Sequence, residues 1–241
     1  MKRLTDTGSF PFPMTQLERI LGWIYLVLHI FVMTYAADLV ALVLESGGAS
    51  VPDGYRTLIY FFLAFLFCAI ALFRYLRLSA VDLGGNILNC LRSLPLCFLL
   101  YYVLAKIFAW LLSLLLTGDL PALSSLVTLE MSTKLNPGVL PLVAALLAPV
   151  AEEVLFRGVA FGTLRRRSRV LAYVVSILLF GFYHLWDSFL FAFDWRLFLY
   201  LLQYVPAGFV LALCYDQSKS IWGPVLLHVI LNFVTVTISI G

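Results

Sequence analysis

Over most of this chain the apolar residues neither alternate nor keep to one stripe; they simply run on. Seven stretches, roughly 18–44, 57–77, 94–116, 139–163, 170–190, 197–214 and 221–240, are almost unbroken in apolar side chains. About 20 helical residues cross a hydrocarbon core of about 30 Å, so each stretch has the length of a membrane span. Backbone polar groups in lipid must be satisfied within their own segment, which leaves helices as the spanning element. The pattern therefore predicts an all-α fold: a polytopic transmembrane helix bundle of about seven spans, built as a single membrane domain over residues 1–241. The first stretch is too long for the core of a signal peptide and reads as a retained anchor. Between the third and fourth stretches, "GDLPALSSLVTLEMSTKLNPG" at 118–138 is too polar to span. Leu123, Leu126, Val127 and Met131 recur there at helical spacing, which fits a short interfacial helix or an irregular loop.

Composition agrees. The chain is 63% hydrophobic and 12% charged, with a mean hydropathy of +1.01, whereas soluble domains are about half apolar and about a quarter charged. A net charge of +3 is too small to suggest a nucleic-acid partner, and the position of the charges is more informative. Lys2, Arg3, Arg19, Arg74, Arg77, Arg92, the "RRRSR" run at 165–169 and Lys219 fall on one set of alternate loops; Arg56, Lys134 and Arg196 fall on the other. That asymmetry places the N-terminus in the cytoplasm and Gly241 outside. The chain is expected to be an integral membrane protein, of a bacterial cell membrane. Cys68, Cys90, Cys97 and Cys214 have no CxxC spacing and read as small buried hydrophobes.

Ionisable residues inside spans are costly and mark function. Those here are His29, Asp38, Lys106, Glu152, Glu153, Arg157, His184, Asp187 and His228. Asp38 and Lys106 lie near span ends, where a side chain can reach water, and a lone histidine such as His29 commonly bonds a neighbouring helix. In "APVAEEVLFRG" at 148–158, Glu153 and Arg157 are four residues apart and share a helical face, so they can pair. Glu152 points away and is left over, in surroundings that suit a general base or acid. His184 lies in the fifth stretch; His228 lies in the seventh, with Asn232 one turn on. At about 1.5 Å per residue from the nearest basic loop, Glu152, His184 and Asn232 come out about 20 Å deep, and His228 about 13 Å. Three helices thus bring Glu152, His184, His228 and Asn232 to broadly one level.

A glutamate and a histidine can together deprotonate water, while a second histidine and an amide can donate hydrogen bonds to a developing oxyanion. This set suits amide hydrolysis without a hydroxyl or thiol nucleophile. No HExxH helix is present, no GxGD motif, and no GxSx motif in a span facing a histidine.

Glu152-Glu153-x-x-x-Arg157, Phe180-x-x-x-His184 and His228-x-x-x-Asn232, in this order on successive late helices, resemble the three motifs of the CPBP family of CAAX-type endopeptidases and bacteriocin-processing proteins, also called the Abi family. The resemblance covers about 139–240 as the catalytic core. It implies an intramembrane endopeptidase of glutamic type acting on a membrane-associated peptide or protein. In that reading Glu152 and His184 activate the water, His228 and Asn232 stabilise the oxyanion, Glu153 and Arg157 hold the site together, and Phe180 packs one turn before His184. Members commonly have eight spans, which would place a further one within 118–138. No cofactor is expected on this mechanism. The alternative is a zinc-dependent protease with Glu152, His184 and His228 as ligands and an open fourth position.

Two other classes compete. One is a non-catalytic immunity or scaffold protein of the same fold, and the other a proton-coupled transporter, which would be expected to show inverted repeats. The sequence leaves open which substrate is cut, whether it is prenylated, and the oligomeric state.

Overall fold

The computed structural model describes residues 13–116, 139–191 and 195–240. These residues are helical almost throughout, with no strand among them. The elements in chain order are α1 (Gln16–Phe31), α2 (Met33–Ser46), α3 (Asp53–Ala71), α4 (Phe73–Leu115), α5 (Val139–Glu153), a π-helix (Val154–Phe161), a short α6 (Gly162–Arg165), α7 (Arg169–Phe191), α8 (Arg196–Ser218) and α9 (Trp222–Ile240). Each of the seven apolar stretches is thus helical, which is compatible with the expected helical membrane bundle, although among the described residues fewer than seven helices have the length and hydropathy of a full span. The helix or loop expected at 118–138 and the side chain of Asp187 lie outside the described residues.

Three helices among the described residues are long and apolar enough to cross a membrane: Phe73–Leu115, Arg169–Trp186 and Arg196–Ser218. Tyr55–Ala71 and Trp222–Thr235 are shorter apolar helices. Two details depart from the sequence pattern. The first stretch is a pair of helices, α1 and α2, bent by 69° at Val32. The polar connection expected between the second and third stretches is helical instead, because α4 runs unbroken for 43 residues. At about 1.5 Å per residue such a helix is about twice as long as the hydrocarbon core is thick, so part of α4 extends beyond it.

The start of α1 and the start of α4 are fastened by one carboxylate. Thr15 and Glu18 form a capping box on α1, with Glu18 Oε2 accepting from the Thr15 backbone N–H at 2.7 Å. Glu18 Oε1 accepts from the Tyr75 backbone N–H at 2.9 Å, one of the donors at the start of α4 that lacks an intrahelical partner. Arg74 adds an ion pair to Glu18 at 3.2 Å.

The core is centred on the π-helix, whose eight residues are all buried. It is packed by α1, α5, α7 and α8, while α4 lies most extensively along α8. Gly22 on α1 is where α1 comes closest: a Cβ at that position would stand 2.5 Å from Val159 Cγ2.

Candidate active site

Glu152 and Glu153 are the last residues of α5, just before the backbone opens to the wider i→i+5 bonding of the π-helix. Such wide turns recur at functional sites. This one has a partner outside itself, since Ser176 Oγ on α7 donates to the Phe156 carbonyl at 3.0 Å.

Glu153 and Arg157 pair as their spacing suggests: the guanidinium donates to Glu153 Oε1 at 2.8 Å, and both side chains are fully buried. Arg157 also donates to the Gly208 carbonyl on α8 at 3.2 Å, and its Cζ sits 4.5 Å from the centroid of the Phe180 ring, a cation–π contact. Gly208 keeps α8 close to α7, because a Cβ there would meet Ile177 Cα at 3.3 Å. Arg157 therefore ties the π-helix to both α7 and α8.

Glu153 has a second partner that its helix does not reveal. The same Oε1 lies 2.7 Å from His228 Nδ1, on α9. With Nδ1–H donated to the carboxylate, the ring orientation is fixed and Nε2 is turned the other way. There it faces Glu152, whose Oε2 is 3.9 Å from His228 Nε2 and 3.8 Å from His184 Nε2. Both separations exceed a hydrogen bond. Glu152 Oε2 is buried and has no hydrogen-bond partner among the described residues.

His184 is the more open of the two histidines, its side chain 27% exposed. Its ring is stacked on Tyr204 at 4.8 Å and 8°, and meets the Phe180 edge at 4.6 Å. Phe180, itself buried, also touches His228 at 5.9 Å and Phe156 at 5.6 Å. The structure thus brings Glu152, His184 and His228 together, with Glu153, Arg157 and Phe180 packed beside them. Asn232 is half-buried one turn beyond His228 and makes no hydrogen bond to the three among the described residues.

The remaining intramembrane polar residues go elsewhere. His29 is buried in an aromatic nest, 4.9 Å from the Tyr183 ring and 5.5 Å from the Tyr60 ring, with the Tyr60 and Tyr183 hydroxyls 2.9 Å apart. Asp38 is half-exposed and pairs with Arg56 at 3.6 Å. Lys106 is exposed on α4. Residues that sequence reasoning passed over include Tyr204 and Tyr183, which flank His184, and Asp216. The Asp216 carboxylate, buried at the end of α8, takes Arg169 at 2.9 Å, Arg165 at 3.1 Å and Lys219 at 3.3 Å. The i,i+3 spacing of Asp216 and Lys219 was its one sequence signal. Among the described residues, no group of three or more histidine, cysteine or carboxylate side chains is arranged to hold a metal ion.

Residues 134–234 match the family model described as Rce1-like, type II CAAX prenyl endopeptidase Rce1-like, a span that contains every residue of the cluster. The match covers less than half of the chain and agrees with the resemblance of its late helices to the CAAX-type endopeptidases. A similar protein is the one described as "Putative membrane peptidase YdiL" of Bacillus subtilis (strain 168), 30% identical over 92 residues, which are 38% of this chain and 33% of the relative. The match therefore spans about a third of the length of that curated relative. No solved structure matches the chain. Together with the apolar helices, these matches to membrane peptidases point to an integral membrane protein.

Proposed function

We propose that the chain is an intramembrane endopeptidase that hydrolyses a peptide bond of a membrane-associated peptide or protein with a water activated by Glu152. One observation carries the reading: a buried carboxylate oxygen without a hydrogen bond among the described residues faces the Nε2 atoms of two histidines at nearly equal distance. A water between these three atoms could donate a proton to Glu152 while its oxygen lies beside the rings. The match to a CAAX endopeptidase family supports the same reaction class.

Each residue has a role in this reading. Glu152 takes a proton from the water, and the hydroxide attacks the scissile carbonyl carbon. His184 is the more open ring and helps to hold the water. His228 donates from Nε2 to the oxyanion, its other nitrogen held by Glu153, and the Asn232 amide is the second donor. The proton on Glu152 then passes to the leaving amine as the C–N bond breaks. Glu153, Arg157 and Phe180 position His228 and His184.

Zinc chemistry is the second reading. A carboxylate on the far nitrogen of His228 is how metal-bound histidines are commonly oriented, and Glu152, His184 and His228 would be the ligands. Both readings use the same three side chains, and the chelator arm of the test below separates them. The distribution of basic residues further supports an orientation with the N-terminus and the 165–169 loop on the cytoplasmic side of a bacterial cell membrane.

The test is cleavage of a panel of quenched fluorescent peptides, prenylated and unprenylated, by purified protein in lipid. Wild type is compared with Glu152→Gln, each with and without a zinc chelator. Cleavage lost in the variant and kept under chelator is the expected result. Loss under chelator that zinc restores moves the site to the metal reading, and full activity of the variant overturns the proposed role of Glu152.

A further inference from the structure

On α1, away from the Glu152 cluster, a cation stands without a counter-ion. Arg19 is half-buried and makes no ion pair among the described residues, and its Nε is buried with no hydrogen-bond partner. On α6, the Thr163 hydroxyl is likewise buried and has no hydrogen-bond partner among the described residues. Both residues line one open groove, whose other walls are Gln16, Ile20, Trp23 and Ile24. Its volume of about 350 Å³ is within the range of small-ligand sites.

The exposed wall of the groove is almost entirely apolar, and Arg19, Thr163 and Gln16 are the residues that bring polar groups to it. Ile20, Trp23 and Ile24 continue along α1, and both isoleucines are exposed. Thr163 stands two residues before the basic run 165–169, so these polar groups lie near the level of that loop. A tryptophan at this level is a typical membrane-interface anchor. In the loop, Asp216 takes up Arg165 and Arg169, which leaves Arg166 and Arg167 exposed and without a carboxylate partner among the described residues. The local field therefore favours a net anion over a zwitterion carrying its own ammonium.

We propose that this groove binds an anionic phospholipid from the leaflet that faces the basic loop, its phosphate on Arg19 and Thr163 and an acyl chain along Ile20, Trp23 and Ile24. The forked guanidinium suits a phosphate, and basic pockets between membrane helices are a known setting for lipid headgroups. The proposal does not depend on the peptidase reading. One turn past Arg19, Gly22 rests on Val159 of the π-helix, so a seated lipid also braces α1 against the core.

The experiment is native mass spectrometry of the purified full chain in neutral detergent, titrated with phosphatidylglycerol or phosphatidylcholine, with glycerol phosphate as a soluble competitor. Wild type is expected to retain one phosphatidylglycerol about tenfold more tightly than phosphatidylcholine, the scale of one charge-assisted contact. Arg19→Gln should lose that preference. Thr163→Val, close in shape, should weaken it several-fold without altering elution or melting in detergent. No preference in wild type, or an undiminished one in Arg19→Gln, overturns the proposal. So does full displacement by glycerol phosphate, which would mark a site for free anions. An equal loss in Arg166→Gln/Arg167→Gln also overturns it, since the preference would then belong to the basic surface as a whole. Should Arg19→Gln fail to fold, an unchanged preference in Thr163→Val refutes the assignment by itself.

Discussion

Glu153 Oε1 and His228 Nδ1 lie 2.7 Å apart, joining the end of α5 to α9 across 75 residues of chain. That bond sets which face of the imidazole reaches Glu152. The two adjacent glutamates therefore meet one ring from its two ends, the first across a gap of 3.9 Å and the second through a hydrogen bond. Their separate environments lead to opposite expectations for mutation.

Glu152→Gln is expected to lower peptidase activity by about 10²–10⁴-fold, the usual contribution of a general base. Folding should not suffer, because Oε2 has no bond to lose and a buried amide is cheaper than a buried unpaired carboxylate. Paired cleavage assays and melting curves in the same detergent check this: activity should collapse while the melting temperature stays level or rises.

Glu153→Ala and Arg157→Ala should each destabilise the protein by about 3–5 kcal/mol, since each strands a fully buried charge. The double variant should cost less than the sum of the two, because neither charge is then left unpaired. A thermal or denaturant double-mutant cycle measures the coupling. Additive losses would mean that the pair at 2.8 Å contributes little to stability.

Gly22→Ala should cost about 1–3 kcal/mol through overpacking, as its Cβ would press on Val159 Cγ2 at 2.5 Å. Val159→Ala in the same chain should recover part of the loss by vacating that space. Melting temperatures of the two single variants and the double variant decide whether the contact between α1 and the π-helix is as close as described.

Tyr204→Leu keeps an apolar side chain but removes the flat surface parallel to His184. Because the stack orients the His184 ring, kcat should fall by about tenfold beyond any loss of stability, near the 0.5–1.5 kcal/mol of an aromatic pair. A fall in stability with kcat unchanged would show the stack to be a packing contact alone.

What the sequence made legible is what one helix can show by itself. The ladder of apolar stretches gave the bundle, and the spacing of Glu153 and Arg157 gave their contact. Depth counted along separate helices grouped Glu152, His184 and His228, although His228 came out shallower than it needed to be. What stayed hidden was relational. The bond from His228 to Glu153, the stacking of Tyr204 on His184 and the multiply paired environment of Asp216 each depend on how two or more helices are turned toward one another. No local periodicity encodes that. The bend at Val32 and the helical 78–93 segment were hidden for a different reason: hydropathy measures length and polarity, and neither reports where a backbone changes direction or continues beyond the lipid.

The π-helix gives the active cluster a vulnerability that side-chain replacement would not expose. Adding one residue within Val154–Phe161, where the wide turns already absorb extra length, would turn the chain before the addition by nearly 100° relative to the chain after it. Every acid, base and cation would still be present, yet Glu152 and Glu153 would no longer look toward α9. The segment thus works as a length standard for the backbone, which suggests that viable relatives of this sequence tolerate exchanges there far more readily than insertions or deletions.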